Sequence, residues 1–298
     1  MFGSHLSIAG GMVNALTLAR ELKLDTVQVF TKNQQQWRVP DLKPDARDAW
    51  LTELAGLGWQ DRTVSHASYL INLASPDDEL WAKSIDLMQV ELERCHELSI
   101  PFLVHHPGAF TTSTRAEGLE RIAKAYKTLF ERTAELTVVS CLEDTVGSGS
   151  NLGRELSELE TLAEMIVDQT GRPDRVGFCL DTCHLHAGGY DLSTRAGGDA
   201  VLKEVGERLG FDRVRVWHLN DSKGDAGSRK DRHDHIGAGT IGRGTTTASL
   251  ADSGFAAVVN HPAFATTPKI LETPKESTKA GTAMDTINLR RLKRLIEL

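Results

Sequence analysis

Nine residues that could hold metal stand where a strand would end or in the loop just beyond it: His66, His106, Glu143, Asp181, His184, His218, Asp231, His233 and Glu272. Glu143, Asp181 and Glu272 each close an apolar run. An ionised carboxylate at a buried position needs a cation or hydrogen-bond donors, and three carboxylates facing one another repel unless a cation joins them. Mixed imidazole and carboxylate donors suit Zn²⁺ first, and Mn²⁺ or Fe²⁺ next. A catalytic zinc takes about three protein ligands and keeps a position for water. Nine donors therefore suit three ions better than one, provided that a carboxylate bridges two of them. Closely spaced divalent ions serve hydrolysis of a phosphodiester: they acidify a water, hold the non-bridging oxygens and neutralise the leaving alkoxide.

Such a set needs many strands ending on one rim. Short β-rich runs recur along the chain: "HLSIA" (5–9), "TVQVF" (26–30), "TVSHA" (63–67), "FLVHH" (102–106), "VVSCLED" (138–144), "VGFCLD" (176–181), "VRVWHLND" (214–221) and "KILET" (269–273). Segments such as "MVNALTLARELK", "DDELWAKSIDLMQVELERCHEL", "TRAEGLERIAKAYKTLFERTAEL" and "LSELETLAEMIVDQT" carry apolar residues at helical spacing. The alternation predicts an α/β fold, a (β/α)₈ TIM barrel with its active site at the C-terminal ends of the strands. An open sheet would instead gather ligands at a switch point. No Pro/Ser-rich linker interrupts the series, so residues 1–298 are read as a single domain. The tract from Thr240 to Lys269 is Thr-rich where the eighth helix should begin, which leaves that helix poorly defined.

In the doublet His105-His106, consecutive strand positions face opposite ways, so at most one can join a shared site. His106, next to Pro107-Gly108, closes the run and is counted among the nine candidates; residue types alone leave open which of the pair takes part. His5, at an end of the first strand, is read as a support for the ligands. His96 falls on a helix and is assigned to surface or packing. His186, His235 and His261 receive no role.

The chain has 298 residues, 40% hydrophobic and 25% charged, as an ordinary globular protein does. Its longest apolar runs fall far short of the roughly 20 residues of a membrane span, and its N-terminus lacks a secretory pattern. A cytoplasmic protein with no membrane partner is expected. The formal charge of -7 argues against a generally basic nucleic-acid binder, although bound metal would offset carboxylate charge locally. Cys95, Cys141, Cys179 and Cys183 show no C-x-x-C spacing and are read as buried free thiols.

The segments "GSHLSIAGG", "VFTKNQQQW", "SHASYLINLASP", "HHPGAF", "LEDTVGSGSNLG", "DTCHLHAGGYDL", "WHLNDSKGDAGSRKDRHDHIGAGTIG" and "ILETP" together resemble, in order, the motifs of the endonuclease IV family of zinc-dependent apurinic/apyrimidinic endonucleases. The resemblance spans about Gly3 to Pro274. It implies a xylose-isomerase-like TIM barrel and a DNA-repair hydrolase, a deoxyribonuclease IV of the phage-T4-induced type. Such an enzyme cleaves 5′ to abasic sites, leaves a 3′-hydroxyl and a 5′-deoxyribose phosphate, and cleans blocked 3′ ends. It implies three Zn²⁺ per chain: His66, His106 and Glu143 on the first, Glu143, Asp181, His218 and Glu272 on the second, and His184, Asp231 and His233 on the third. A hydroxide between the first two ions would be the nucleophile, with Glu272 and Glu143 as catalytic residues and Glu272 orienting or deprotonating it. The implied partner is double-stranded DNA with abasic sites or blocked 3′ ends, met by a monomer that joins the nucleoid during repair.

By the same resemblance Gln35, Tyr69 and Leu70 are DNA-contacting residues, and Tyr69 and Leu70 would enter the base stack as the abasic nucleotide is flipped out. Gln35 stands where many relatives carry arginine, and Ala238 where an acidic residue is usual. Loss of the planar, charged fork at Gln35 implies a weaker grip on phosphate. Two other readings compete. Glu143, Asp181, His218 and Glu272 alone match a sugar isomerase or epimerase of the xylose-isomerase-like barrels, which leaves the other five donors without a purpose. A metal-containing protein that binds DNA lesions without turnover is the third reading.

Overall fold

The computed structural model describes residues 1–296. Among the described residues ten strands and ten helices follow in this order: β1 (Phe2–His5), α1 (Val13–Glu21), β2 (Thr26–Val29), α2 (Pro44–Leu57), β3 (Val64–His66), α3 (Asp78–Glu97), β4 (Phe102–His105), α4 (Arg115–Arg132), β5 (Val139–Glu143), α5 (Leu156–Thr170), β6 (Val176–Asp181), α6 (Thr182–Gly188), α7 (Arg195–Arg208), β7 (Val214–His218), β8 (Asp221–Ser222), β9 (His233–Asp234), α8 (Thr247–Ala251), α9 (Gly254–Asn260), β10 (Lys269–Leu271) and α10 (Met284–Lys293). Eight strands close a parallel barrel in the order β1-β10-β7-β6-β5-β4-β3-β2. β8 and β9 form a separate antiparallel hairpin above it.

Successive strand residues face opposite sides, and this alternation builds the interior in layers. Val64, Val104, Cys141, Cys179, Val216 and Ile270 form a small apolar cluster inside the barrel. Two residues further on, the same faces present His66, His106, Glu143, Asp181, His218 and Glu272. The larger core lies outside, between the barrel and its helices. At Gly3 the interior is too tight for a side chain: a Cβ there would come within 2.7 Å of the Thr26 carbonyl and 2.9 Å of Ile270.

Local signals set several helix ends. Asp77 caps α3 by accepting the Leu80 N–H, and Thr114 and Glu117 form a reciprocal capping box on α4. Gly58 and Gly171 stop α2 and α5 in the left-handed region.

Three expectations are corrected. The first strand is Phe2–His5, not 5–9: the chain leaves the sheet after pairing His5 with Gln28, and Gly10 and Gly11 then turn it at φ 79° and 137°. The alternation in "HLSIA" belongs to the loop, while the true strand hides its pattern behind Gly3 and Ser4. The fourth strand ends at His105, so His106 lies just beyond it. The eighth unit carries two short helices, α8 and α9, in place of one. α9 then packs against α7, where Gly198 and Gly254 approach so closely that a Cβ on Gly198 would meet the Gly254 Cα at 2.7 Å. Among the described residues, no helix is long and apolar enough to cross a membrane.

Candidate active site

Each barrel strand delivers one polar side chain to the top of the interior, and Glu143 of β5 stands at the centre. Its Oε2 lies 3.1 Å from Nε2 of both His66 and His106, and its Oε1 lies 2.8 Å from His218 Nδ1. His218 Nδ1 is also 3.3 Å from Glu272 Oε2 and 3.8 Å from Asp181 Oδ2. To one side, Asp231 Oδ1 lies 3.4 Å from His184 Nε2 and 3.5 Å from His233 Nε2. Asp181 Oδ2 is 3.5 Å from the same His233 nitrogen. The structure thus brings all nine candidates together. Among the described residues five groups could hold an ion, three of them without cysteine: His66, His106 and Glu143; Glu143, Asp181, His218 and Glu272; and Asp181, His184 and His233; the other two set Cys179 beside Glu143 and His218, and Cys183 beside Asp231 and His233.

Distinct elements position these groups. β7 brings His218, and the loop behind β10 brings Glu272. Asp181 caps α6, accepting the Cys183 and His184 N–H groups at 2.6 and 3.1 Å, which places His184 on the first turn. The hairpin strand β9 starts at His233, and the loop before it docks on α6: Gly227 and Arg229 donate their N–H groups to the carbonyls of His186 and Ala187. Asp221 steadies the next turn, accepting N–H groups from Gly237 and Ile241 at 2.8 and 2.9 Å.

The histidine rings are oriented from behind. His66 Nδ1 donates to the Ala67 carbonyl at 2.8 Å, His184 Nδ1 to that of Asp144 at 2.9 Å, and His233 Nδ1 to that of Glu272 at 3.2 Å. A carbonyl only accepts, so Nδ1 carries a proton in each ring and Nε2 is the nitrogen turned to the carboxylates, able to donate to them when protonated or to ligate a cation when not. His218 is held the other way, with Nε2 on Gln28 Oε1 at 2.9 Å and Nδ1 towards the cluster.

Gln28 is the residue that sequence reasoning missed. Its Nε2 donates to Glu272 Oε1 at 2.6 Å, which identifies the amide's donor end and leaves Oε1 for His218. The signal was present: Gln28 is a long amide between two valines, Val27 and Val29, in a fully buried strand. His5 stands beside it, with Nδ1 3.0 Å from both Glu272 Oε1 and Gln28 Nε2.

The charges of the site support one another. Burial favours the neutral acid at Glu143 and Glu272, but the surrounding imidazoles, His218 foremost, hold both well below the usual carboxylate range. Burial likewise opposes a proton on His218, yet Glu272 and Glu143 push it up to about 9. His184 is driven well above its ordinary value against its burial, chiefly by Asp181 and Asp231. Burial lowers His5, so a neutral ring faces Glu272. Burial raises the Cys183 thiol to about 12 and lifts Cys179 well above its usual value, so the cysteines beside the clusters are thiols, not thiolates.

The other candidates lie on the rim. Tyr69 is 59% exposed, with its ring 5.2 Å from His66 and 5.9 Å from His106. Leu70 is half-buried against the outer core, and Gln35 is exposed on the loop after β2. His105 turns away from the site, with Nε2 2.6 Å from the Tyr126 hydroxyl on α4.

A family model described as a xylose isomerase-like TIM barrel matches residues 16–289. A protein from Chloroflexus aurantiacus called probable endonuclease 4 is 40% identical over 296 residues, covering 99% of this chain and 98% of its own length. The crystal structure of endonuclease IV from Thermus thermophilus matches with a TM-score of 0.81 at 33% identity, over 99% of this chain and 98% of that one. D-psicose 3-epimerase from Clostridium cellulolyticum matches at a TM-score of 0.67 over 99% of this chain and 96% of that one. At 13% identity it shares the fold alone. With full-length identity on this scale, on a closed barrel whose strand ends converge on one histidine–carboxylate cluster, the chain belongs to the endonuclease IV family.

Proposed function

We propose that this protein is a DNA-repair phosphodiesterase. It hydrolyses the backbone 5′ to abasic sites in duplex DNA, leaves a 3′-hydroxyl and a 5′-deoxyribose phosphate, and removes blocking groups from 3′ ends. One observation carries the reading: His66, His184, His218 and His233 each have one ring nitrogen tied from behind and the other aimed at shared carboxylates. That arrangement fits divalent metal, and the buried His233 Nε2, which has no hydrogen-bond partner, points the same way. Three Zn²⁺ are the preferred set, held by His66, His106 and Glu143, by Glu143, Asp181, His218 and Glu272, and by His184, Asp231 and His233. Such ions supply an acidified water and positive charge against the phosphate oxygens and the leaving alkoxide.

The chain's own groups do the rest. Glu272, ionised beside His5 and Gln28, accepts the proton of the attacking water as the water oxygen bonds to phosphorus and the P–O3′ bond breaks, and the departing 3′-alkoxide takes a proton from solvent to become the 3′-hydroxyl. Glu143 is central enough to serve two of the three sets. The Tyr69 phenol is neutral at ordinary pH, so an uncharged, exposed ring stands at the rim and can meet the gap left by a missing base. Leu70 supplies an apolar wedge beside it, and Gln35 a polar contact. A cavity of about 630 Å³, lined by His5, Phe30, Tyr69 and Glu272 among others, gives an extruded nucleotide room beside the cluster. The five donors beyond Glu143, Asp181, His218 and Glu272 have no task in a one-ion epimerase, which disfavours that reading.

Cleavage of a duplex bearing a single abasic analogue tests the proposal. Wild-type protein with about three ions per chain should nick only at the analogue, and EDTA should stop it. Glu272→Gln should keep the fold and lose roughly 10²- to 10⁴-fold in rate. Undiminished turnover in that variant would remove Glu272 from the mechanism, and binding without any cleavage by the wild type would support the inert-binder reading.

A further inference from the structure

The loop that follows β2 carries Gln35, and the loop that follows β3 carries Tyr69 and Leu70. Both loops close on one side chain, Glu91, which lies on the buried face of α3 and is 1% exposed. Glu91 Oε2 accepts the Thr31 hydroxyl at 2.9 Å in the first loop, and its Oε1 accepts the Ser68 N–H at 3.1 Å in the second. Lys32 Nζ stands 3.5 Å from the same carboxylate and donates to the carbonyls of Asn33 and Gln36, at 3.2 and 3.3 Å, on either side of Gln35. Ser68 Oγ joins the loops directly, donating to the Gln34 carbonyl at 2.6 Å.

A buried ion pair is weak support for stability, because apolar packing of similar volume often serves as well. What this one supplies is geometry. Its bonds run to loop backbone and loop side chains on both sides of a gap, and they converge beside the residues that meet the duplex.

We propose that Glu91, with Ser68, is a positioning residue for DNA recognition, holding the two loops so that Gln35, Tyr69 and Leu70 are presented already ordered. The inference rests on the abasic-site reading given above. Neither residue is assigned contact with substrate or metal; the gain is that the ordering cost is met on folding, not on binding.

The test measures Kd and single-turnover kinetics on a duplex with one tetrahydrofuran abasic analogue, together with bound metal per chain. Glu91→Gln keeps the side chain's size and removes the charge facing Lys32, whereas Ser68→Ala removes the bond between the loops and a longer one within the second loop, where Ser68 Oγ accepts the Leu70 N–H at 3.4 Å. We expect Kd and KM to rise about tenfold for Glu91→Gln and about threefold for Ser68→Ala. The rate at saturating DNA should stay within about twofold, with metal content unchanged. Wild-type Kd in both variants overturns the proposal, and so does a kcat that falls with the folded fraction at constant KM. Should Glu91→Gln fail to fold, Ser68→Ala decides alone. A wild-type protein that neither binds nor nicks the duplex overturns the abasic-site reading itself, a result distinct from variants that match an active wild type.

Discussion

Gln28 links two of the candidate ligands, Glu272 and His218. Its amide donates to Glu272 Oε1 at 2.6 Å and accepts from His218 Nε2 at 2.9 Å. Only a side chain with both a donor and an acceptor end can do this. A carboxylate would repel Glu272, and an apolar residue would free the His218 ring to turn. Gln28→Ala should therefore weaken metal binding by roughly 10- to 100-fold while leaving the barrel folded. Activity titrated against buffered free Zn²⁺ checks this, and an unshifted titration curve would show that Gln28 orients neither partner. The residue was legible only as an oddity, an inward amide on a strand; its partners come from β7 and the loop behind β10, far away in sequence.

At the scale of elements, β4 shows how one strand serves two layers. His106 faces the cluster, while His105 reaches α4 through Tyr126, whose hydroxyl also lies 2.7 Å from Ser140 Oγ. Burial pushes His105 down to about 4 from its ordinary 6.5. Between those values the unfolded chain binds more protons than the folded one, so stability rises with pH across that window. It is lost as pH falls through 6.5 towards 4, by about 3 kcal/mol in all. Denaturant melts near pH 7 and pH 4.5 should show a smaller acid loss for His105→Gln than for wild type; equal losses would deny His105 this role. Alternation alone separates the two histidines, and it also serves to find seven of the eight strands. It failed at β1, where Gly3 carries no side chain because the interior there has no room for one, and Ser4 is polar, donating to the Leu271 carbonyl and lying 3.0 Å from Asp285.

For the whole molecule, the metal-free site is held by protons. His218, raised to about 9, contributes stability that is complete below its unfolded value of 6.5 and is lost as pH rises through 9. Glu143 and Glu272, held well below 4.5, contribute above that value and lose the contribution as pH falls through their folded pKa values. A metal held by these imidazoles would replace their protons, so its stabilisation would grow with pH. The difference in Tm between metal-loaded and EDTA-treated protein should therefore widen between about pH 6 and pH 9. A difference that narrowed over that range would count against metal at these histidines.

The sequence by itself determined the class of fold, the faces of the strands and the kinds of donor atoms, because period-two alternation and residue type are local properties. Whether the barrel closes, and which donors come together in one cluster, was decided by tertiary structure. Closure places β1 beside β10, and with it His5 and Gln28 beside Glu272, an adjacency that no local pattern encodes. The third cluster shows the same division: Asp231 and His233 look like neighbours on a loop, but only the docking of that loop on α6 brings Asp181 within 3.5 Å of His233.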